Sequence, residues 1–138
     1  MSERRRISSG GPWEAAAGYS RAIGVGDGCW VAGTTDAGPD GRSAHPGDIA
    51  AQTRQSLTNL ANILAAGGSS LANVLKANVY LRRMDDIAQV DGVFREFFPG
   101  EPPPRTTVGA VLGTPGGDGR PGMDIEIELV AYAGDELA

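Results

Sequence analysis

The sequence predicts an α+β fold: one mixed β-sheet with two helices packed on one face, in the order β-β-α-β-α-β-β. Three observations lead there. Short β-branched runs alternate with two longer segments of helical apolar spacing. Each helical segment carries a single apolar stripe, so two helices can cover one sheet face but not both. The last two strands alternate apolar and polar residues, as strands do when only one face of their sheet meets a core.

The elements follow in order. The chain of 138 residues reads as a single domain. Residues 1–12 read as a flexible tail, in which Arg4, Arg5 and Arg6 form a solvated cationic run. "YSRAIGVGDGCWVAGTT" holds two strand-like runs around Gly26-Asp27-Gly28, a hairpin signal. "DAGPDGRSAHPGD" is a loop by its glycine, proline and aspartate content. Asp48 is placed to cap a helix whose stripe is Leu57, Leu60, Ala61 and Leu64, with Gly67 and Gly68 ending it. "NVLKANVYL" predicts a strand over 73–81. Asp85 or Asp86 would cap a second helix with the stripe Ile87, Val90, Phe94, Phe97 and Phe98. "PGEPPP" stops that helix. A strand over 105–112, a glycine-rich connection over 113–122 and a strand over 123–132 complete the chain.

Alternation assigns side chains to faces. Val108, Ala110 and Leu112 fall on one side of their strand, with Arg105, Thr107 and Gly109 on the other. Ile125, Ile127 and Leu129 oppose Asp124, Glu126 and Glu128. With the apolar sides turned to the helices, Arg105 and the glutamates are expected together on the opposite face. An arginine fork there suits a carboxylate. Alternation alone also fits a second face that is simply wet, but Ile23, Val25, Trp30 and Val31 weigh against a wholly wet face, and an oligomer that buries it would account for both observations.

Composition narrows the classes. A net charge of -5 argues against non-specific nucleic-acid binding, which needs a basic field. Cys29 is the one cysteine, so no internal disulfide can form. No run approaches a membrane span, and the basic start lacks the apolar stretch of a signal peptide. A cytoplasmic protein without membrane association is the expectation. His45 stands alone in its loop, so no metal site is expected. "GTPGGDGRPG" lacks the Lys-Ser/Thr ending of a phosphate loop. Cys29 and the three phenylalanines read as core.

The stretches "GYSRAIGVGD", "VAGTT", "GDIAAQTRQSLTNLANILAAGGSSLANVLKANVYL", "MDDIAQVDGVFREFF", "PPPRTTV" and "IEIELVAYA" resemble, in order, the RidA (YjgF/YER057c/UK114) family of enamine and imine deaminases, from Gly18 to Ala133. The resemblance implies a chorismate-mutase-like fold and a homotrimer with active sites between subunits. It implies hydrolysis of 2-enamino and 2-imino acids, such as 2-aminoacrylate, to 2-keto acids and ammonia, without a cofactor. By the same resemblance Arg105 holds the substrate carboxylate and Glu126 handles the water. Tyr19 and Gly33 line the cleft, and Thr107 stands where the family often has cysteine.

The chemistry implied suits these residue types. An imine carbon is already electrophilic, so a positioned water and a general base suffice. Thr34 stands where the family's deaminases usually show glutamine, and Asp91 where asparagine is common. Both are counted as substrate-binding positions, and "SSGGPWE" (residues 8–14) also departs from the usual entry. These differences admit an alternative: a pathway-specific enzyme on the same scaffold, acting on a larger imine, enamine or other carboxylate. A non-catalytic ligand-binding trimer is a further alternative. A ribonuclease activity, a label some family members carry, fits the acidic charge least.

Overall fold

The computed structural model describes residues 3–112 and 122–134. Its strands are β1 (Arg4–Ile7), β2 (Ala22–Val25), β3 (Gly28–Thr34), β4 (Val74–Leu81), β5 (Arg105–Gly109) and β6 (Ile125–Tyr132). Its α-helices are α1 (Pro12–Ala17), α2 (Ile49–Ala66) and α3 (Ile87–Phe97). The strands form one sheet in the order β1-β2-β3-β6-β4-β5. All neighbours are antiparallel except β4 and β5.

The helices form where the apolar stripes lie. Asp48 caps α2, its carboxylate accepting from the Ala51 amide at 3.0 Å. Leu57, Leu60 and Leu64 of α2 and Val90, Val93 and Phe94 of α3 are buried against one sheet face. That face consists of Cys29, Val31, Ala77, Val79, Leu81, Ile125, Ile127 and Leu129. Both helices therefore cover the same side, as two stripes require. Between β2 and β3, Gly26 takes φ 56° at the first position of a two-residue turn, a conformation that favours glycine.

Four expectations need correction. Residues 4–7 are not a tail: they form β1, paired with β2 from Arg4↔Val25 to Ile7↔Ala22. Ile7 is buried and supplies the apolar anchor, while three arginines on an edge strand discourage pairing with other chains. A short helix, α1, follows, opened by Pro12 at its first turn and closed by Gly18 in the left-handed region. Asp86 occupies the N-cap position of α3, but its carboxylate makes no capping hydrogen bond and lies 3.7 Å from Arg83.

The largest correction concerns β5. Its parallel register sets Arg105 beside Ala77, Thr107 beside Val79 and Gly109 beside Leu81. Those β4 residues face the helices, so Arg105 and Thr107 do too. Val108, paired with Tyr80, turns to the open face and is exposed. The physical reason is that β5 is an edge strand. At the rim the core is shallow, and a single valine does not decide which side is turned inward. The strand also stops at Gly109 rather than 112. The glycine-rich connection, apart from Gly122, lies outside the described residues.

Candidate active site

The residues singled out by sequence gather into two separate groups. The first surrounds Glu126 on the open face of β6. Gly33 of β3 lies directly beneath that side chain: a Cβ built there would stand 2.8 Å from the Glu126 carboxyl carbon. The glycine is therefore required by the glutamate that crosses it. Tyr19 and Arg21 precede β2. The Arg21 guanidinium donates to the Gly33 carbonyl at 2.7 Å, to the Thr34 hydroxyl at 3.1 Å and to the Tyr19 hydroxyl at 2.7 Å. It also lies over the Tyr19 ring, 5.1 Å from the centroid. Thr34 lies on the wall of the cleft, but its hydroxyl is committed: it accepts from Arg21 and donates to the Ala32 carbonyl at 2.9 Å. A cleft of about 1340 Å³ runs from Glu126 past Tyr19 and Arg21 toward Trp13 and Asn59.

The second group sits on the helix side of β5. The Arg105 guanidinium donates to the Asp91 carboxylate of α3. It also stacks over Phe94, 4.6 Å from the ring centroid. Thr107 follows two residues on, its hydroxyl buried without a hydrogen-bond partner. Asp91, Arg105 and Thr107 thus stand together, as do Tyr19, Gly33, Thr34 and Glu126. Arg105 and Glu126 do not. They occupy opposite faces, with β4 between their strands. Two strand spacings alone amount to about 10 Å.

Charge is arranged around Glu126. Burial pushes its carboxyl above the ordinary value of 4.5, Arg21 pulls it back down, and Glu128 pushes it up again. Glu128 is itself held by the Asn78 amide at 2.9 Å and the Tyr80 hydroxyl at 2.7 Å. That hydrogen bond to Glu128 raises the Tyr80 phenol above its usual range. The arginine beside the glutamate is Arg21, not Arg105.

Arg21 and Glu14 were missed by the sequence reading. The signal for Arg21 was its spacing: it stands two residues from Tyr19, hence on the same side of an extended chain. Glu14 gave no local signal. It is buried and accepts from the Ser8 hydroxyl at 2.9 Å, from the Ser9 hydroxyl and from the Ser9 amide at 3.3 Å. Burial alone would raise its carboxyl, but the serine hydrogen bonds and Arg21, 3.8 Å away, hold it below the ordinary value. No group of acidic, histidine or cysteine side chains among the described residues could hold a metal ion.

The Endoribonuclease L-PSP family matches residues 11–133. The 2-iminobutanoate/2-iminopropanoate deaminase of Bos taurus is 34% identical over 131 residues, covering 94% of this chain and 91% of that protein. A mitochondrial protein of Schizosaccharomyces pombe is 37% identical over 129 residues, covering 91% of each. A crystal structure from Mycobacterium tuberculosis, described as a member of the highly conserved YjgF/YER057c/UK114 family, superimposes with a TM-score of 0.79. It is 34% identical to this chain and covers 94% of it and 99% of the other.

Proposed function

The chain belongs to the Endoribonuclease L-PSP family, also called the YjgF/YER057c/UK114 or RidA family, and from that premise we propose that it hydrolyses 2-imino and 2-enamino acids to 2-keto acids and ammonia. One observation carries the reading. Arg105 and Glu126 occupy opposite faces of one sheet, so no small imino acid can touch both within a chain. Each group is nevertheless built as half of a site. A second copy then supplies the missing half, and the ring of three implied by the family satisfies every chain equally.

In this composite site the planar fork of Arg105 holds the substrate carboxylate, with Asp91 and Phe94 fixing its plane. Glu126 of the adjoining chain accepts a proton from water while the water oxygen attacks the imine carbon. Glu126 passes that proton to the nitrogen, and as the carbon–nitrogen bond breaks the carbinol hydroxyl gives up its own proton to the departing nitrogen, so that water supplies the keto oxygen and two hydrogens of the ammonia. Burial tunes Glu126 toward this work, because a carboxylate titrating above its usual range is a stronger base. The deaminase named among the relatives supports the substrate class.

A second reading is a pathway-specific enzyme acting on a larger imine. Two observations favour it: Thr34, where the family's deaminases usually show glutamine, stands in the cleft wall beside Arg21, and Asp91, where asparagine is common, pairs with Arg105.

The test is subunit complementation. Arg105→Ala and Glu126→Gln variants are purified, each expected to be inactive toward 2-aminoacrylate generated in situ. They are then unfolded together and refolded at equal amounts. Random mixing in a ring of heterologous interfaces restores roughly a quarter of the wild-type sites. Activity near that fraction supports the composite site, and none after confirmed mixing overturns it.

A further inference from the structure

The entry segment "SSGGPWE" has no place in the reaction described above, yet it builds the most elaborate polar cluster in the first half-site. Ser8 and Ser9 hold the Glu14 carboxylate by three hydrogen bonds, and Glu14 faces Arg21. Arg21 in turn reaches three separate groups of the cleft wall: the Tyr19 hydroxyl, the Gly33 carbonyl and the Thr34 hydroxyl. Gly33 is the residue on which Glu126 rests. We infer that Arg21, anchored by Glu14, is a positioning residue that fixes Tyr19 and the Gly33–Thr34 backbone around the Glu126 carboxylate. This rests on Glu126 being the general base.

The arrangement has the right physical properties for that role. Arg21 is 9% exposed and Glu14 is 3% exposed, so the pair is held out of water, where charge interactions are strong. A fork with five donors can reach a carbonyl, an aliphatic hydroxyl and a phenol at once while facing a carboxylate, and an ammonium cannot reproduce that geometry. The charged and titratable groups around Glu126 are few. Arg21 approaches from the segment before β2, Glu128 stands on its own strand, and Tyr80 faces it from β4. Glu14 completes the set through Arg21. Arg21 is the one cation among those named, so it opposes both burial and Glu128 in keeping the base ionised.

The test separates this role from a merely structural one. In glutamate-labelled protein, the carboxyl resonance of Glu126, assigned by its loss in Glu126→Gln, is followed against pH. Arg21→Gln moves its midpoint upward. Arg21→Lys keeps the charge, so the midpoint stays near the wild-type position, while the fork is lost. In both variants kcat for 2-aminoacrylate falls about 10- to 100-fold, with KM within roughly threefold of wild type. Should Arg21→Gln fail to fold around a lone buried Glu14, the double variant Glu14→Gln/Arg21→Gln removes both charges and gives the same reading. Arg54→Ala, which breaks an exposed pair with Glu96, is the control and changes neither quantity. A folded Arg21→Gln protein, or the folded double variant, with an unmoved Glu126 midpoint overturns the inference, as does a kcat equal to wild type. The titration needs no turnover. An upward shift in a protein that never deaminates would overturn the deaminase reading and leave Arg21 as the group that sets the Glu126 charge.

Discussion

Glu126 and Glu128 share a strand face and differ in their partners. Glu128 is spent on Asn78 and Tyr80, whereas Glu126 lies over a glycine at the edge of an open cleft. The two carboxylates therefore answer differently to the same change. Glu126→Gln lowers the deamination rate by roughly 10²–10⁴, the range for a lost general base. Glu128→Gln retains most activity, and because Glu128 pushes the Glu126 carboxyl up, its loss moves the acid limb of the rate profile to lower pH. Stability follows a definite sign. The Glu126 carboxyl is raised by burial in the folded chain, so the folded state binds its proton more tightly than the unfolded one. Stability is then lost as pH rises through that raised value, and the loss disappears near 4.5 and below. Glu126→Gln escapes this loss, so its thermal midpoint at neutral pH is equal to or above that of wild type. Calorimetry at pH 4.5 and pH 7.5 checks the sign: a variant less stable at neutral pH would mean the carboxylate is held by favourable partners.

At the scale of elements, β1 changes the character of the N-terminal segment. An edge strand of four residues with three arginines gains little from its own pairing. Its anchor is Ile7, buried on the helix side within the main core. The chain then turns through Ser8 and Ser9 into α1, so the position of the Glu14 clamp depends on that anchor. Ile7→Ala is expected to cost about 2–5 kcal/mol, the usual range for a buried isoleucine truncation. It should also weaken catalysis, because the serines that hold Glu14 follow directly. Denaturant unfolding measures the first effect and steady-state kinetics the second. An unchanged midpoint would mean that β1 is not docked in solution.

The open sheet face is apolar at its β2–β3 end and polar at its centre, where β6 and β4 present Glu126, Glu128, Asn78 and Tyr80. Ile23 and Trp30 face each other there, with Val25 beside them and Val108 across the sheet. Trp30 is 50% exposed and Val108 43% exposed. An exposed apolar patch such as that of Ile23, Val25 and Trp30 is a feature of interaction sites, while Val108 lies beyond the polar side chains of β6 and β4. Under the composite site proposed above, a second copy of the chain covers this face. Light scattering on an eluting size-exclusion peak is expected to give three times the monomer mass. Trp30→Glu places a charge in that face and should yield smaller species without deaminase activity but with an intact circular dichroism spectrum. A wild-type monomer at micromolar concentration would remove the composite site. No helix among the described residues is long and apolar enough to cross a membrane.

Local physics carried much of this protein into its sequence. The two helices and the strands β2, β3, β4 and β6 could be read because apolar period, caps and turns act over a few neighbouring residues, as at Asp48 and Gly26. The polar character of Arg105, Glu126 and Tyr19 could be read for the same reason. What alternation cannot supply is an absolute direction: it says that Arg105 and Val108 oppose each other, not which of them meets α3. That was decided by the crossover that inserts β4 between β6 and β5, and by the shallow core at the sheet's rim. Glu14 and Arg21 escaped for a related reason. Their partners stand up to 13 residues away in the chain, and such a cluster acquires meaning only when the fold closes it. The sequence by itself determined that α2, α3 and the strands β2, β3, β4 and β6 form, while β1 and α1 emerged only with the fold. The tertiary structure alone decided that the arginine and the glutamate stand apart, because strand order and face are properties of long-range contacts rather than of any local pattern.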